Sequence, residues 1–562
     1  MYTTAKNVQI VIALLKAHGL KRFVLSPGGT NAPFVQAIQD DVFFQCYSIV
    51  DERSAAYFAL GLYLETGEPI AICCTSAQAT RNYLPGLTEA FYKHSPILAI
   101  TFSKHPRFTY QDYMQAPDQT SLPKDSVKAS YALPYVCNNE DRLYCERLTN
   151  EALMNLLYPI SGPIQLNVPM LDSELSSYDT PNLPVVKVIK NVNQDNCVDL
   201  QIEKKKILVV VGENRGLCDS SLIKFAMSHN VAIYVNHLSN MSNEYTVQGN
   251  ALLAVTDQAY FDMNLCPDVL ITIGGQTGDY SLFNKLSKTN KKYEHWRFSI
   301  EGKVVDTYDH LTKVINITSD DFFSLMSKRQ CCDNTYFGAW YSAVNSICLD
   351  VDVPLSNIYV AQQLHRIIPQ NSLVNFSIHN SLRVWNYFPF KNYVRCFCNV
   401  AAFGIDGCMS TFIGQSVCTD SLCYLIIGDL SFFYDMNSIG IRHIKNNIRI
   451  ILINNNGGME FKLGENQENN SHTDQYVAAS GHFKNSRGWA LTNNFMYIPI
   501  NNKEEFDTHK EVLIKESTQP ILMEVFVNDV DENTAYISLR KANDKRSVLR
   551  KTASLIKNTL LK

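Results

Sequence analysis

Two polar turns, each at the end of an apolar run, contain the residue types in this sequence that are best suited to chemistry. The run Leu422–Ile427 is followed by Gly-Asp-Leu-Ser, and the run Ile448–Ile453 is followed by Asn-Asn-Asn-Gly-Gly. A carboxylate, an amide oxygen and a free backbone carbonyl suit Mg²⁺, which completes its coordination with water and phosphate oxygens. The two turns therefore predict a magnesium site and a ligand that carries a diphosphate.

The predicted metal ligands are Asp429, Asn456 and the carbonyl oxygen of Gly458. Met436–Lys445, between the two apolar runs, has a helical pattern, so we expect a strand–helix–strand crossover. Such a crossover joins parallel strands, and both strands then end at the same edge of the sheet, where open α/β sheets bind their ligands. The alternative is that Gly-Asp and Asn-Gly are only turn signals after strands. Either motif alone favours that alternative, whereas the paired occurrence favours the metal site.

The elements that must position these residues follow an α/β pattern along the whole chain. Short apolar runs such as Ile70–Cys74 end in Gly, Ser or Asn and are followed by longer helical patterns, which is typical of parallel sheets. We predict an α/β protein with three doubly wound parallel-sheet domains, at 1–180, 190–335 and 350–562. The polar, proline-containing stretch 172–184 is predicted to be the linker that closes the first domain.

Length and composition exclude several classes of protein. The chain has 562 residues, which is too long for a single small binding module. Lys and Arg number 50 against 54 Asp and Glu, and no basic run stands out, so we expect no nucleic-acid partner. No apolar run approaches the roughly 20 residues of a membrane span, and the first residues lack a secretory pattern, so we expect a cytoplasmic protein. The 16 cysteines form no Cys-x-x-Cys, and neither a disulfide framework nor a zinc site is predicted.

The two polar turns resemble the metal motif of the thiamine diphosphate enzyme superfamily, in which Gly-Asp is followed further on by Asn-Asn. Within that superfamily the chain is most similar to the SEPHCHC synthase branch, which joins the succinyl unit of 2-oxoglutarate to isochorismate in menaquinone synthesis. The resemblance covers essentially the whole chain. Its further motifs lie at Ser26–Gly28, 51–61, 74–90, 162–169 and 404–407.

This resemblance implies a three-domain enzyme, with a pyrimidine-binding domain, a central domain and a diphosphate-binding domain. It implies thiamine diphosphate and Mg²⁺ as cofactors, a 2-oxo acid as donor, and either release of the decarboxylated product or its transfer to an acceptor. It also implies a homo-oligomer, dimer or tetramer, with active sites at the subunit interface.

The resemblance also implies roles for individual residues. Glu52 corresponds to the glutamate that hydrogen-bonds the aminopyrimidine, where a carboxyl in an apolar site can share a proton with the ring. Ile405 corresponds to the apolar wedge under the bent cofactor, and Gln115 to an active-site glutamine. The remaining expected cofactor contacts are Asn82, Asn380, Ser381, Gly428, Asp429, Leu430, Ser431 and Asn456. The alternatives are that Glu52 is a surface acid or the partner of Arg53, and that a Ser or Asn beside a strand is only a helix cap.

The match to the synthase branch breaks at positions where that branch has basic residues. Arginine, whose planar fork takes a carboxylate in two hydrogen bonds, is the natural anchor for carboxylate-rich substrates. This chain has Thr30, Val400 and Trp385 at three arginine positions, and Asp279-Tyr280 in place of Lys-Arg. At a fifth position Lys104 keeps the charge without the fork.

We therefore expect retained cofactor chemistry with a changed substrate, either a less charged donor or a hydroxylated acceptor that stacks on aromatic rings. His105 and His379 are additional candidate acid–base groups, although a lone histidine is more often structural.

Three other interpretations stay open from the sequence. The chain could be a genuine SEPHCHC synthase in which other basic residues, such as Lys104 or Arg383, hold the carboxylates. It could be a non-catalytic paralogue that uses the cofactor as a structural or sensed ligand. A nicotinamide or flavin enzyme is disfavoured because no Gly-x-Gly-x-x-Gly follows a strand, and 211–216 is only a partial match.

Overall fold

The computed structural model describes residues 1–176, 178, 180–214, 219–328, 333–464 and 476–544. Positions 215 and 216 of the partial glycine motif lie outside these residues. The chain divides into two compact units. The first comprises Met1–Asp199 and Glu294–Thr318, and the second comprises Leu200–Tyr293 and Ser319–Lys562. The predicted domain boundaries stay a prediction.

A six-stranded sheet in the first unit has the strand order β2-β1-β3-β4-β6-β5. Its strands are β1 (Arg22–Leu25), β2 (Gln45–Ser48), β3 (Ile70–Cys74), β4 (Ile97–Lys104), β5 (Ala129–Ala132) and β6 (Ile164–Met170). The helices around it are α1 (Lys6–Ala17), α2 (Ala32–Gln39), α3 (Glu52–Thr66), α4 (Gln78–Asn82), α5 (Leu84–Tyr92) and α6 (Asn139–Leu157). Successive residues of β1 point into different cores, since Phe23 and Val24 belong to two separate apolar clusters. The sheet is therefore covered on both faces.

The middle of the chain forms a second parallel sheet. Its strands are β7 (Lys190–Val192), β8 (Ile207–Val211), β9 (Val231–Tyr234), β10 (Thr246–Val247), β11 (Val269–Ile273), β12 (Glu294–Phe298) and β13 (Leu311–Ile315). Within the first unit the order is β12-β13-β7, and within the second it is β10-β9-β8-β11. The helices of this region are α7 (Asp219–Ser228), α8 (Asn250–Val255), α9 (Gln258–Asn264), α10 (Tyr280–Ser287), α11 (Ser319–Met326) and α12 (Thr335–Asn345).

A third sheet, in the second unit, has six strands in the order β15-β14-β16-β17-β19-β18. Its strands are β14 (Leu373–Phe376), β15 (Arg395–Cys398), β16 (Cys423–Gly428), β17 (Ile448–Asn454), β18 (Met496–Ile500) and β19 (Ile521–Phe526). The accompanying helices are α13 (Asn357–Leu364), α14 (Asn380–Trp385), α15 (Cys408–Ser416), α16 (Asp429–Tyr434), α17 (Arg487–Thr492), α18 (Lys503–His509) and α19 (Asp529–Ala542). Tyr424 and Leu425, adjacent in β16, pack into different apolar clusters, so this sheet is also buried on both faces.

The three parallel sheets with helices between their strands confirm the predicted fold class. The predicted helix Met436–Lys445 was wrong. The helix α16 instead begins at Asp429 itself, and only a short 3₁₀ segment, Met436–Gly440, follows it. The chain turns at Asp435, whose carboxylate accepts hydrogen bonds from the backbone nitrogen and hydroxyl of Ser410 at 2.7 and 2.8 Å. Among the described helices, none is both long and apolar enough to cross a membrane.

Candidate active site

The two polar turns of the sequence lie side by side at one edge of the third sheet. β16 and β17 are parallel neighbours, and Gly428 is paired with Ile453 in their register. The residues that follow these two positions therefore leave the sheet at the same edge. This arrangement is the one that the crossover argument predicts, with α16 in place of the predicted helix.

Asp429 is buried and its carboxylate is tied to the second turn. Its Oδ2 atom accepts hydrogen bonds from the backbone nitrogens of Asn455 and Gly457, at 3.1 and 3.0 Å. The Nε2 atom of His482 lies 3.0 Å from the same oxygen. Burial raises the pKa of Asp429, while His482 and the backbone N–H groups of Leu430 and Gly457 act in the opposite direction. The Asp429 carboxylate is thus a buried polar group whose orientation is fixed by its contacts with the second turn.

The Asn-Asn-Asn-Gly-Gly turn is tightly packed. Asn456 adopts a positive φ of 61°, a conformation in which Asn is better tolerated than most residues. A Cβ atom on Gly457 would lie 2.7 Å from Oγ and 2.9 Å from Cα of Ser480, so only glycine fits. The backbone nitrogen of Gly458 donates to the carbonyl of Ala478 at 2.6 Å, and its own carbonyl oxygen accepts a hydrogen bond from the backbone nitrogen of Phe461 at 3.2 Å.

The three asparagines of this turn have different environments. The amide of Asn454 points inward and donates to Glu524 at 2.7 Å. The Oδ1 atom of Asn455 is buried and has no hydrogen-bond partner among the described residues. Within the described ranges, no group of three or more His, Cys, Asp or Glu is arranged to hold a metal ion.

The predicted wedge residue lies next to the same edge. The Ser431 hydroxyl, on α16, donates to the carbonyl of Ile405 at 2.7 Å. Gly404 precedes Ile405, and a Cβ atom there would lie 2.3 Å from the Asp406 carboxylate, which would have to move. Nothing lies within 4 Å of the Cβ position on Gly428, so this part of the edge is open. Ser381, at the start of α14, accepts a hydrogen bond from the Ser377 hydroxyl at 3.0 Å.

In the first unit, the structure brings Glu52 and Asn82 together. Glu52 is the first residue of α3, after Asp51, whose side chain accepts a hydrogen bond from Ser54 at the helix N-cap. The Asn82 amide donates to Oε2 of Glu52 at 3.0 Å. Glu52 is half-buried. Arg53, its alternative partner, forms an ion pair with Asp51 at 3.9 Å. Glu52 is thus oriented by a neighbouring amide.

Gln115 lies on an exposed stretch between β4 and β5 with a positive φ of 58°. The buried glutamine of this region is Gln119, which the sequence did not indicate. Its side chain accepts from the backbone nitrogen of Ala77 at 2.9 Å and donates to Asn167 at 3.1 Å.

The positions of the missing arginines are filled by residues that face inward. Thr30 is buried, and its hydroxyl lies 3.3 Å from that of Ser76. Trp385 is fully buried, and its indole nitrogen donates to Asn357 at 3.1 Å. Val400 is also buried, at 1% exposure. These side chains belong to the packed interior and offer no charge to a ligand.

Asp279 serves as a helix cap. It precedes α10, and its carboxylate accepts hydrogen bonds from the backbone nitrogens of Ser281 and Leu282 at 2.9 and 3.1 Å. The hydroxyl of Tyr234 and the amide of Asn250 donate to its other oxygen at 2.5 and 2.7 Å. Burial raises the pKa of Asp279, and these hydrogen bonds oppose that shift.

The two basic residues that could replace the missing arginines both have acidic partners within the chain. Lys104 forms an ion pair with Asp172. Arg383 donates from Nη1 to both carboxylate oxygens of Glu460, at 2.9 and 3.0 Å. Their charges are therefore already compensated in the folded protein.

Comparison with known proteins identifies the family. Residues 6–122 match the family described as thiamine pyrophosphate enzyme, N-terminal TPP binding domain. The chain is 32% identical to the 2-succinyl-5-enolpyruvyl-6-hydroxy-3-cyclohexene-1-carboxylate synthase of Phocaeicola vulgatus, over 97% of this chain and 100% of that protein. The chain belongs to this family. This chain is also 32% identical to the synthase of Bacteroides thetaiotaomicron and 27% identical to that of Flavobacterium psychrophilum, in each case over 94% of this chain.

Membership of this family confirms the resemblance inferred from the sequence. The chain is an enzyme of the thiamine diphosphate-dependent, decarboxylating carboligase type, and its amino-terminal region is a thiamine diphosphate-binding domain. Sequence reasoning did not find His482 or the pairing of Arg383 with Glu460. No local signal could have found them, because each contact joins residues that are distant in the chain and have no characteristic spacing.

Proposed function

We propose that this enzyme uses thiamine diphosphate and Mg²⁺ to decarboxylate a small monocarboxylic 2-oxo acid, such as pyruvate, and can transfer the product to an acceptor. The observation that carries the proposal is the link between Asp429 and the Asn-Asn-Asn-Gly-Gly turn at the carboxyl edge of parallel strands. That edge is where open α/β sheets bind ligands. In addition to the His482 and backbone N–H contacts of this buried carboxylate, a metal ion would give it a positive partner and would suit a diphosphate ligand.

The residues at this edge fit the proposed cofactor. Asp429, Asn456 and the carbonyl of Gly458 would hold Mg²⁺, with oxygen ligands of the kind that this ion prefers. The buried Oδ1 atom of Asn455, which has no hydrogen-bond partner among the described residues, supports a polar ligand at this turn. Further contacts to the cofactor would come from Asn380, Ser381, Gly428, Leu430 and Ser431.

Bound thiamine diphosphate would supply the carbon nucleophile for the 2-oxo carbonyl and accept the electron pair that remains when CO₂ leaves. Glu52 would share a proton with the aminopyrimidine ring, and the Asn82 amide would hold the Glu52 carboxyl in orientation. Ile405 would fix the bend of the cofactor, since Ser431 anchors its backbone at 2.7 Å. Gln115 would contact the substrate.

The proposal includes a homo-oligomer, dimer or tetramer, with active sites at subunit interfaces. In the first unit, α3 exposes Tyr57, Phe58 and Leu64 at 46%, 40% and 64% of their surfaces. Tyr92, at the end of α5, is 67% exposed. Exposed apolar side chains grouped on neighbouring helices support an interface between copies of the chain. A cytoplasmic location without membrane or nucleic-acid partners is part of the same proposal.

The altered substrate is argued from charge. Each hydrogen bond between a charged anchor and a carboxylate contributes about 1.5–3 kcal/mol. At the positions where the synthase resemblance places arginines, this chain has buried Thr30, Val400 and Trp385. Lys104 and Arg383 already form ion pairs with Asp172 and Glu460, respectively. A donor without a distal carboxylate, and an uncharged or sugar-like acceptor, would not need those anchors.

A second candidate is the synthase activity itself. Similarity along the full length of the synthases favours it, since the Phocaeicola vulgatus protein is covered completely. A non-catalytic role for the cofactor is the third, and the paired Glu52 and Asn82 side chains argue against it, because a purely structural cofactor site would not require them.

One assay separates these candidates. The purified chain, loaded with thiamine diphosphate and Mg²⁺, is given pyruvate in one reaction and 2-oxoglutarate with isochorismate in another, and CO₂ and products are measured. We expect turnover of pyruvate and, with two anchors lost, a kcat/KM for the synthase substrates about 10²–10⁴-fold below that of an ordinary synthase. Efficient synthase product would overturn the altered substrate. No CO₂ from a panel of 2-oxo acids would favour the non-catalytic role.

A further inference from the structure

A compact cluster of ionic and aromatic side chains lies beside the candidate cofactor edge in the second unit. We name it the His379 cluster, and its members are His379, Arg383, Glu460, Tyr280 and Phe403. Arg383 is paired with Glu460 and also stacks over the Tyr280 ring, 5.2 Å from its centroid. Phe403 contacts Tyr280 and His379 edge to face, with centroids 5.8 and 5.3 Å apart.

The backbone of His379 is unusual. It lies between β14 and α14 with φ 61° and ψ −129°, a region that favours glycine. The synthase pattern that this chain resembles has Gly-Asn-Ser-Leu here, whereas this chain has His379-Asn380-Ser381-Leu382. A residue with a side chain persists in such a conformation only when its surroundings fix it, and such residues cluster at functional sites.

The imidazole of His379 is half-buried, with one ring nitrogen enclosed beside Glu460. Its Nδ1 atom is buried and has no hydrogen-bond partner among the described residues. The same atom lies 3.9 Å from Oε2 of Glu460, whose two oxygens also bind Arg383. In the orientation that satisfies both groups, the Asn380 amide also bonds Glu460, at 3.2 Å. Glu460 is thus held firmly beside the imidazole.

The cluster is continuous with the predicted cofactor contacts. Phe403 is two residues before Ile405, and Ile405 is held by Ser431 of α16. Asn380 and Ser381, two of the predicted contacts, directly follow His379 in the chain. His379 therefore occupies the same sheet edge as the residues that would hold the cofactor.

We propose that His379 transfers a proton to and from the substrate oxygen, and that Glu460 and Arg383 are positioning residues for it. This inference rests on the proposed function. In the release step, the O–H bond of the substrate hydroxyl breaks and its electron pair forms the product carbonyl. The bond between that carbon and its nucleophile breaks and the nucleophile keeps the pair. The proton forms an N–H bond at Nε2, the ring nitrogen that is not enclosed beside Glu460, and then passes to solvent.

The electrostatic surroundings agree with a proton acceptor. Burial lowers the pKa of His379 from its ordinary value of 6.5, Glu460 raises it in part, and Arg383 lowers it further. The groups near the ring are Glu460 after β17, Arg383 on α14 and the uncharged ring of Phe403. Tyr280 contacts Arg383 and Phe403. At neutral pH the imidazole is therefore uncharged and able to accept a proton.

The test compares His379→Gln and His379→Gly with wild type. His365→Gln is the control, because His365 is another histidine of the second unit with a burial-lowered pKa, and its ring bonds the Pro389 carbonyl and Arg366, away from the His379 cluster. The protein loaded with thiamine diphosphate and Mg²⁺ is assayed for CO₂ release from pyruvate across about pH 5 to 9. Calorimetry measures cofactor affinity, and NMR of the histidine rings follows their titration without cofactor.

We expect His379→Gln to lower kcat by about 10²–10⁴-fold and to remove the acidic limb of its pH profile, with cofactor affinity unchanged. In NMR spectra of the wild-type protein, the His379 ring signal is the one that disappears in His379→Gln. It should titrate below pH 6.5. His379→Gly should melt at a higher temperature than wild type, because glycine relieves the positive φ, while losing activity. A residue that is only structural would not combine these effects. His365→Gln should keep the wild-type profile.

Two results would overturn the inference while leaving the proposed function intact. One is a His379→Gln variant with the wild-type pH profile and a rate within about threefold of wild type. The other is a loss of activity fully explained by weaker cofactor binding. If the wild-type protein binds thiamine diphosphate and releases no CO₂ from any 2-oxo acid tested, the proposed function itself is wrong.

Discussion

Oδ2 of Asp429 accepts a hydrogen bond from the backbone nitrogen of Gly457 at 3.0 Å, which joins the end of one strand to the turn after its neighbour. The side chain that would bind the metal thus also shapes the loop that supplies the other proposed ligands. Occupancy by a cation and the conformation of the turn should therefore be coupled.

Replacing Asp429 by Asn keeps the size of the side chain and removes its charge. We expect thiamine diphosphate affinity in the presence of Mg²⁺ to fall by about 100-fold or more, in line with the loss of charge-assisted contacts. Calorimetric titration measures this, and circular dichroism checks the fold. Asp435→Asn is the control, because that carboxylate bonds Ser410 instead. Unchanged cofactor affinity in Asp429→Asn would remove the metal assignment.

Glu52→Gln should slow activation of the cofactor. The amide keeps the shape of the side chain and can still contact Asn82, but it cannot share a proton with the aminopyrimidine. Hydrogen–deuterium exchange at C2 of bound thiamine diphosphate should slow by about 10²-fold or more. Glu89→Gln is the control, since Glu89 is an exposed partner of Lys93 on α5. Equal exchange rates in wild type and Glu52→Gln would show that Glu52 has no part in the chemistry.

Glu460→Gln should change substrate preference. It removes the charge that compensates Arg383, so the guanidinium becomes available to a distal carboxylate. We expect the ratio of kcat/KM for 2-oxoglutarate to that for pyruvate to rise about tenfold, which corresponds to about 1.4 kcal/mol. The ratio cancels any common loss of rate. The double change with Arg383→Met should abolish the gain, and a gain that survived it would exclude Arg383 as the anchor.

Glu532 should make stability depend on pH. It is 5% exposed, and burial raises its pKa from an ordinary 4.5 to about 7. The folded protein therefore holds this proton more tightly than the unfolded chain. Stability should be greatest below about pH 4.5 for this group and should fall as pH rises towards 7, by about 3 kcal/mol in total.

Glu532→Gln mimics the protonated form. Relative to wild type it should gain stability in urea unfolding at pH 8 and show little difference at pH 4.5. If the stability difference between Glu532→Gln and wild type were the same at pH 4.5 and pH 8, Glu532 would not titrate in this range.

Much of the fold and of the candidate site could be predicted because the signals are local. Ile70–Cys74 is a strand with the predicted bounds, since a buried parallel strand is a continuous apolar run. Asp429 and the asparagine turn could be placed together because parallel crossovers have one handedness. The helix predicted at Met436–Lys445 failed because Asp435 bonds Ser410, a tertiary contact that overrides helical propensity.

The remaining features depend on contacts between distant parts of the chain. His482 reaches Asp429 from a separate segment, and Glu460 pairs with Arg383 across two strand ends. Sequence reasoning named Arg383 as a possible carboxylate anchor, yet only the folded arrangement reveals that its charge is already compensated. The spacing of residues in the sequence predicts which of them lie at the same edge of a sheet. Which side chains pair at that edge depends on tertiary packing, which the spacing does not encode.

The all-parallel sheets also have a consequence for how the chain folds. Leu98 pairs with Ile164 and Arg449 pairs with Ile521, so strand neighbours are far apart in sequence. Each such pairing requires closure of a long loop before its contacts form, which makes folding slow compared with that of a hairpin or helical bundle. During synthesis, an apolar strand such as β17 stays exposed on one side until its later partner β19 has been made. We therefore expect chaperones or a low growth temperature to raise the yield of this protein more than they would for a helical protein of equal length.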